Sequence, residues 1–207
     1  RDQSRGLGDV YKRQVLGYLL VALSILLIIP IVIDLISGND SWKSFLISLI
    51  ITLGFGVTFL LSTRNELKNK ILTQDAFLIT TLSWIFISIF GALPFFFLDS
   101  SLSLTNSIFE SMSGITTTGS TIFNEVENLP QGILIWRSIL QWVGGVGIIV
   151  MAVSILPVLQ VGGMQVFRTE SSDTTDKILP RTTQVASAVI LIYILSLIHI
   201  SEPTRLI

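Results

Sequence analysis

Apolar residues in this chain gather into long blocks at 15–36, 42–61, 76–98 and 132–159, with the start of a fifth at 182–196. A helix needs roughly 20 apolar residues to cross a bilayer core, so each of the first four blocks predicts a spanning helix. The first two are separated only by the polar turn SGND at 37–40, which predicts a helical hairpin. Between the third and fourth blocks the pattern changes. There SLTNSIFESMSGI carries helical apolar periodicity over only about a dozen residues, a length that suits a helix dipping into a membrane and returning better than one crossing it.

Composition places all of this in lipid. Hydrophobic residues make up 50% of the 207, charged residues only 13%, and the mean hydropathy is +0.75, against roughly 25% charged in soluble domains. The fold class expected is an all-α polytopic membrane protein: a transmembrane hairpin at 15–62, a helix–pore loop–helix unit at 75–160 with the loop at 115–121, a polar loop at 161–181 and a truncated helix at 182–196. Positions 1–14 and 197–207 read as non-native tails, the alternative being an ordinary cytosolic N-terminal tail and a natural short C-terminal one. The single histidine, His199, lies in the second tail and receives no role.

Charge sets the orientation. Arg64, Lys68 and Lys70 follow the second span, and Arg168, Lys177 and Arg181 follow the fourth, so both loops are expected on the cytoplasmic side, as is the N-terminus. The first turn and the 99–130 segment carry Lys43 as their only basic residue against Asp40, Asp99, Glu110, Glu125 and Glu127, and are expected outside. A net charge of −1 gives no basic field for nucleic acid, and the absence of Cys excludes thiolate metal sites and thiol nucleophiles. No phosphate-binding loop, paired metal ligands or Ser/His/Asp set is present, so no enzyme and no cofactor are expected.

The short helix is followed by GITTTGSTI, 114–122, a run of hydroxyl residues around one glycine. Irregular backbone at membrane depth is tolerated where protein buries it or where it lines a water-filled cavity. A filter for a dehydrated K⁺ replaces hydration oxygens with backbone carbonyls, to which Thr can add hydroxyl oxygens. Thr116, Thr117 and Thr118 offer both, Gly119 admits backbone angles closed to other residues, and the helix ending near Gly114 would aim its negative pole at a cation. The alternative is a polar surface turn with Gly119 as its turn residue. The joint pattern of span, short helix, hydroxyl loop and return span favours the filter.

On the strings DAFLITTLSWIFISIFGALPF, FESMSGITTTGSTI, LQWVGGVGIIVMAVSILPVLQVGGMQVFRTE and KILPR, the chain resembles the Trk-type potassium uptake subunits, within the superfamily of K⁺ transporters related to K⁺ channels. The resemblance implies that four non-identical helix–loop–helix units surround one pore, of which this chain carries the first. It places K⁺-coordinating carbonyls on Thr117 and Thr118, with Gly119 as the filter glycine and Thr116 and Ser120 flanking. It further implies uptake or symport of K⁺ in a bacterial cytoplasmic (inner) membrane, a homodimer, and a cytosolic nucleotide-binding regulatory subunit. The two N-terminal spans and the GGMQ string look more like the Trk branch than the sodium-dependent Ktr branch. A non-conducting structural subunit and a secondary transporter with a midplane ionisable site remain rivals.

Other residues have two readings each. Glu110, in the short helix, either raises local cation concentration, hydrogen-bonds the loop backbone, or is a structural acid whose partner is Arg137. Gly144, Gly145 and Gly147 are expected to allow close helix packing rather than to form a hinge. Trp42, Trp84, Trp136 and Trp142 are expected as interface anchors near span ends. Asp75 is expected at the start of the third helix, where its charge suits the dipole.

Overall fold

The computed structural model describes residues 2–63, 73–98 and 102–159, together with helical positions 188, 191–193 and 195. The basic loops at 64–70 and 161–181, Asp99, and most of 182–207 lie outside the described residues. Among the described residues the bounded α-helices are α1 (Asp2–Leu26), α2 (Ile28–Ser37), α3 (Trp42–Ser62), α4 (Thr73–Leu98), α5 (Leu104–Ile115) and α6 (Gln131–Leu159). A 3₁₀ turn, Val126–Asn128, precedes α6, and no strand occurs among the described residues. Four stretches are long and apolar enough to cross a membrane, Val10–Ser37, Trp42–Ser62, Phe77–Leu98 and Gln131–Ile149. The chain divides into two compact units, Arg1–Gly144 and Gly145–Ile207.

The first block, expected as one straight span, is broken at Leu27 into α1 and α2. Pro30 lacks the N–H that would bond the carbonyl four residues earlier, at Leu26, which accounts for a break at this point. The buried stripe nevertheless continues through it, as Leu16, Leu20, Leu23, Leu27, Pro30 and Asp34 recur every three or four positions. The turn after α2 is closed by Gly38 at φ 71°, a left-handed angle that glycine adopts without penalty.

Helix α3 reverses the pattern of a soluble protein. Its buried residues are Phe45 and the small Ser44, Ser48, Thr52 and Gly56, while Ile50, Phe55 and Leu61 are exposed. Lipid solvates the large apolar side chains, so small residues are what the inside of a membrane bundle selects. Ser48 and Thr52 each donate to the carbonyl four residues back at 2.7 Å, whereas the Ser44 hydroxyl donates across to the Phe97 carbonyl of α4 at 2.9 Å. A Cβ on Gly17 would stand 3.1 Å from the Gly56 carbonyl oxygen, and one on Gly56 would stand 3.1 Å from the Val21 nitrogen, so α1 and α3 approach backbone to backbone.

The core of the first unit gathers α1, α3, α4, α5 and α6 around Leu20, Leu27, Phe45, Phe95, Ile133 and Trp136. Trp136 corrects the expectation of an interface anchor, because it is fully buried and packs edge-on against Phe45 at 6.4 Å. Its indole Nε1–H donates to the Gly91 carbonyl at 3.0 Å. That carbonyl lies three residues before Pro94, next to the Phe90 carbonyl that proline leaves without its helical N–H. Trp42, Trp84 and Trp142 stay partly exposed. In the second unit, a Cβ on Gly145 would overlap the Tyr193 hydroxyl, so this glycine makes room for a ring.

Candidate functional site

Helix α5 is set up locally. Ser103, with extended backbone (ψ 152°), caps it by accepting from the Asn106 N–H at 3.2 Å. At 12 residues α5 is about 18 Å long, too short for a roughly 30 Å hydrocarbon core. It is held between α4 and α6 by missing side chains. A Cβ on Gly91 of α4 would lie 2.7 Å from Ser111 Oγ, and one on Gly114 would lie 3.2 Å from Leu140 Cβ on α6. The tightest contact is at Gly144, whose hydrogen faces the Ile115 carbonyl with no room for a methyl group. Gly144 thus serves close packing at the spot where α5 ends.

The loop then folds back on the helix that precedes it. The N–H of Thr116 donates to Met112 O at 2.9 Å, that of Thr117 to Gly114 O at 3.0 Å and that of Thr118 to Ser113 O at 3.0 Å. Three successive amides therefore cap the last carbonyls of α5. All peptides here are trans, and in a trans peptide the C=O points opposite to the N–H it is bonded through, so the Thr116 and Thr117 carbonyls face away from the helix end. Among the described residues no donor meets the carbonyls of Thr116, Thr117, Thr118 or Gly119.

Two left-handed residues two positions apart shape this stretch, Thr117 at φ 56° and Gly119 at φ 80°. For glycine the angle is free; for a β-branched residue it costs on the order of 1–2 kcal/mol, strain that tends to persist where function uses it. The hydroxyls are less available than the sequence suggests. Thr116 Oγ1 donates to Met112 O at 2.8 Å, which leaves Thr118 Oγ1 to donate to Thr116 Oγ1, also at 2.8 Å. The oxygens left for a ligand are mainly carbonyls. Ser120 is turned the other way, its carbonyl accepting from Ser113 Oγ at 2.6 Å.

Behind the loop stands Glu110, 2% exposed. Its carboxylate receives Arg137 Nε at 2.8 Å, the Thr121 hydroxyl at 3.1 Å from both oxygens, and the Ile122 N–H at 3.0 Å. Of the roles open to Glu110 from sequence, the geometry shows the bond to the loop backbone and the pairing with Arg137. One carboxylate ties together α5, the returning limb of the loop and α6.

Sequence reasoning passed over Thr121, Ile122 and Ser113, which act only through these distant contacts, and Asp34, which is fully buried in α2. Asp34 did carry a signal: an ionisable residue inside an apolar span calls for a partner. No group of three or more His, Cys, Asp or Glu fit to hold a metal ion occurs among the described residues.

Residues 41–200 match the family model TrkH, described as cation transport protein. The chain is 44% identical over 181 residues to the Trk system potassium uptake protein TrkI of Halomonas elongata, covering 87% of this chain and 36% of that protein. It is 40% identical over 185 residues to the Trk system potassium uptake protein TrkH of Escherichia coli K12, covering 88% and 38%. The crystal structure of the potassium transporter TrkH from Vibrio parahaemolyticus superposes with a TM-score of 0.69 at 34% identity, over 88% of this chain and 36% of that one. The chain thus spans somewhat more than a third of the length of these relatives. A family-model match over most of its residues, on an all-helical fold with a short helix and a hydroxyl-rich loop between spans, shows that this chain belongs to the TrkH family of cation transport proteins.

Proposed function

We propose that this chain supplies the first of four filter segments in the membrane subunit of a Trk-type potassium uptake system. The carbonyls of Thr117 and Thr118, flanked by Thr116 and Gly119, would take the place of part of the hydration shell of a passing K⁺. The observation that carries this reading is the loop itself. The amides of Thr116, Thr117 and Thr118 cap α5, no donor among the described residues meets the carbonyls of Thr116, Thr117, Thr118 or Gly119, and Thr117 and Gly119 take left-handed angles in that arrangement. The names of the relatives, potassium uptake proteins, supply the ion.

In this reading K⁺ is cargo, no further cofactor is required, and Glu110 is a clasp for the filter rather than an ion ligand. The 99–130 segment faces outside, the basic loops and the N-terminus face the cytoplasm, and the whole subunit works as a homodimer with a cytosolic nucleotide-binding partner, as the family resemblance implies. A sodium-dependent Ktr-type system is the second reading; the extra N-terminal hairpin α1–α3 favours Trk.

Gly119→Ser in the full-length protein that carries this segment tests the filter. A side chain at φ 80° strains the backbone beside Thr118, so K⁺ flux should fall or Na⁺ should enter, as read by ion uptake in cells that lack other K⁺ importers. Unchanged K⁺/Na⁺ discrimination in properly inserted protein would remove the assignment.

A further inference from the structure

The first span, 15–36, contains one charged residue, Asp34, and it has no exposed surface at all. Burying a carboxyl group in a membrane helix is expensive, and packing alone never requires it. Its position within α2 adds to the cost. Asp34 lies in the last turn, where the helix dipole is negative, and its own backbone carbonyl already accepts the N–H groups of Gly38 and of Asn39, the latter at 3.0 Å. The compensation comes from 98 residues away. Asp34 Oδ1 accepts the N–H of Gly132 at 2.7 Å, and Oδ2 accepts the Ser41 hydroxyl at 2.6 Å.

Gly132 is the second residue of α6, so its N–H is one of the donors that no carbonyl inside that helix can reach. A side chain from α2 therefore caps α6 from outside its own sequence. The contact is close, because a Cβ at position 132 would overlap the Asp34 carboxyl group and one of the two would have to shift. A second bond runs alongside, from Ser37 Oγ to Gln131 Oε1 at 2.7 Å.

From this geometry we infer that Asp34 is a positioning residue for ion selection, acting through α6 on the loop; the inference rests on the filter reading given above. The route is short and continuous. Gly132 fixes the first turn of α6, and Arg137 follows about 7.5 Å further along the same helix. Arg137 holds Glu110 at 2.8 Å, and Glu110 holds the Ile122 N–H and the Thr121 hydroxyl of the loop. The N-terminal hairpin, which contributes no residue to the loop, thereby sets the height of the helix that clasps it.

The test is a double-mutant cycle in the full-length protein that carries this segment, with Asp34→Ala, Gly132→Ala and the pair combined, and with Asp34→Asn as the conservative variant. Protein in the membrane, melting temperature, the K⁺ concentration for half-maximal uptake and the Rb⁺/K⁺ uptake ratio are measured for each. Asp34→Ala and Gly132→Ala should each raise the half-saturating K⁺ several-fold and shift the Rb⁺/K⁺ ratio. Asp34→Asn, whose amide oxygen can still accept from Gly132 and whose NH₂ can donate to Ser41, should stay near the unsubstituted protein. The combined variant should be no worse than Gly132→Ala alone, since the new methyl group then fills the space the carboxyl group left. Multiplying effects in the combined variant would overturn the contact. Lower protein amount or melting temperature with unchanged half-saturation and ion ratio would reduce Asp34 to a structural residue and overturn the proposal. Gly119→Ser, run in parallel, separates the two claims: unchanged discrimination there removes the filter reading, whatever the cycle shows.

Discussion

Two carboxylates are buried among the described residues of the first unit, and they are satisfied in different ways. Glu110 meets a full positive charge, the Arg137 guanidinium, together with a hydroxyl and one amide. Asp34 meets only neutral donors, one hydroxyl and the first-turn amide of a helix. The first arrangement is local, between a short helix and the span that follows it. The second joins α2 to α6 across 98 positions of the sequence. A guanidinium supplies charge wherever its long side chain reaches, whereas a helix N-terminus offers about half a charge and only along its axis, so the Asp34 contact demands the stricter geometry. The contrast suggests that the Glu110 cluster contributes more energy and the Asp34 contact more placement.

The largest effect expected from breaking this contrast is at Glu110. Glu110→Leu strands Arg137, which is 17% exposed, and releases the loop at Thr121 and Ile122. Removing one partner of a buried pair costs about 3–5 kcal/mol. K⁺ uptake should be abolished and the melting temperature should drop in detergent; retention of both would show that the clasp is dispensable.

A matched pair of hydroxyl deletions sharpens the comparison at smaller scale. Thr121→Val removes a donor to Glu110 that Arg137 and Ile122 still satisfy, while Ser41→Ala leaves Asp34 with the Gly132 amide alone. Both should destabilise by about 1 kcal/mol, with Ser41→Ala the more costly because less remains to satisfy the buried group. Chemical or thermal denaturation of the two variants checks the order, and the reverse order would mean that Asp34 has a further donor.

The smallest effect belongs to the exposed pair in the turn between α2 and α3. Lys43 Nζ lies 2.6 Å from Asp40 Oδ1, with both side chains mostly in solvent. The hydrogen bond from Lys43, with its charge, holds the Asp40 carboxyl below its ordinary range. Any contribution to stability is therefore present above the ordinary carboxylate range and lost as pH falls through the lowered value. Because surface pairs contribute little, Lys43→Met should leave the melting temperature at neutral pH unchanged within error, and a clear loss would mark this turn as more than a solvated corner.

Much of the candidate site is legible because it is local. The dozen-residue helix, its end near Gly114 and the hydroxyl run around Gly119 all lie within 20 consecutive positions, where periodicity and residue type decide conformation. Arg137 could be nominated for Glu110 because spans hold so few charges. For Trp136 residue type predicts an interface anchor, whereas the structure buries it against Phe45 with its N–H on the Gly91 carbonyl.

The sequence by itself determined the membrane class, the succession of spans and the place of the loop, since each follows from the length and polarity of contiguous segments in lipid. Tertiary structure alone decided which oxygens the loop leaves free, that the Thr116 and Thr118 hydroxyls are tied into the end of α5, and that Asp34 reaches Gly132. These depend on directions of individual bonds and on contacts across up to 98 positions. A linear pattern records which groups must be satisfied in a membrane, and only packing settles by whom.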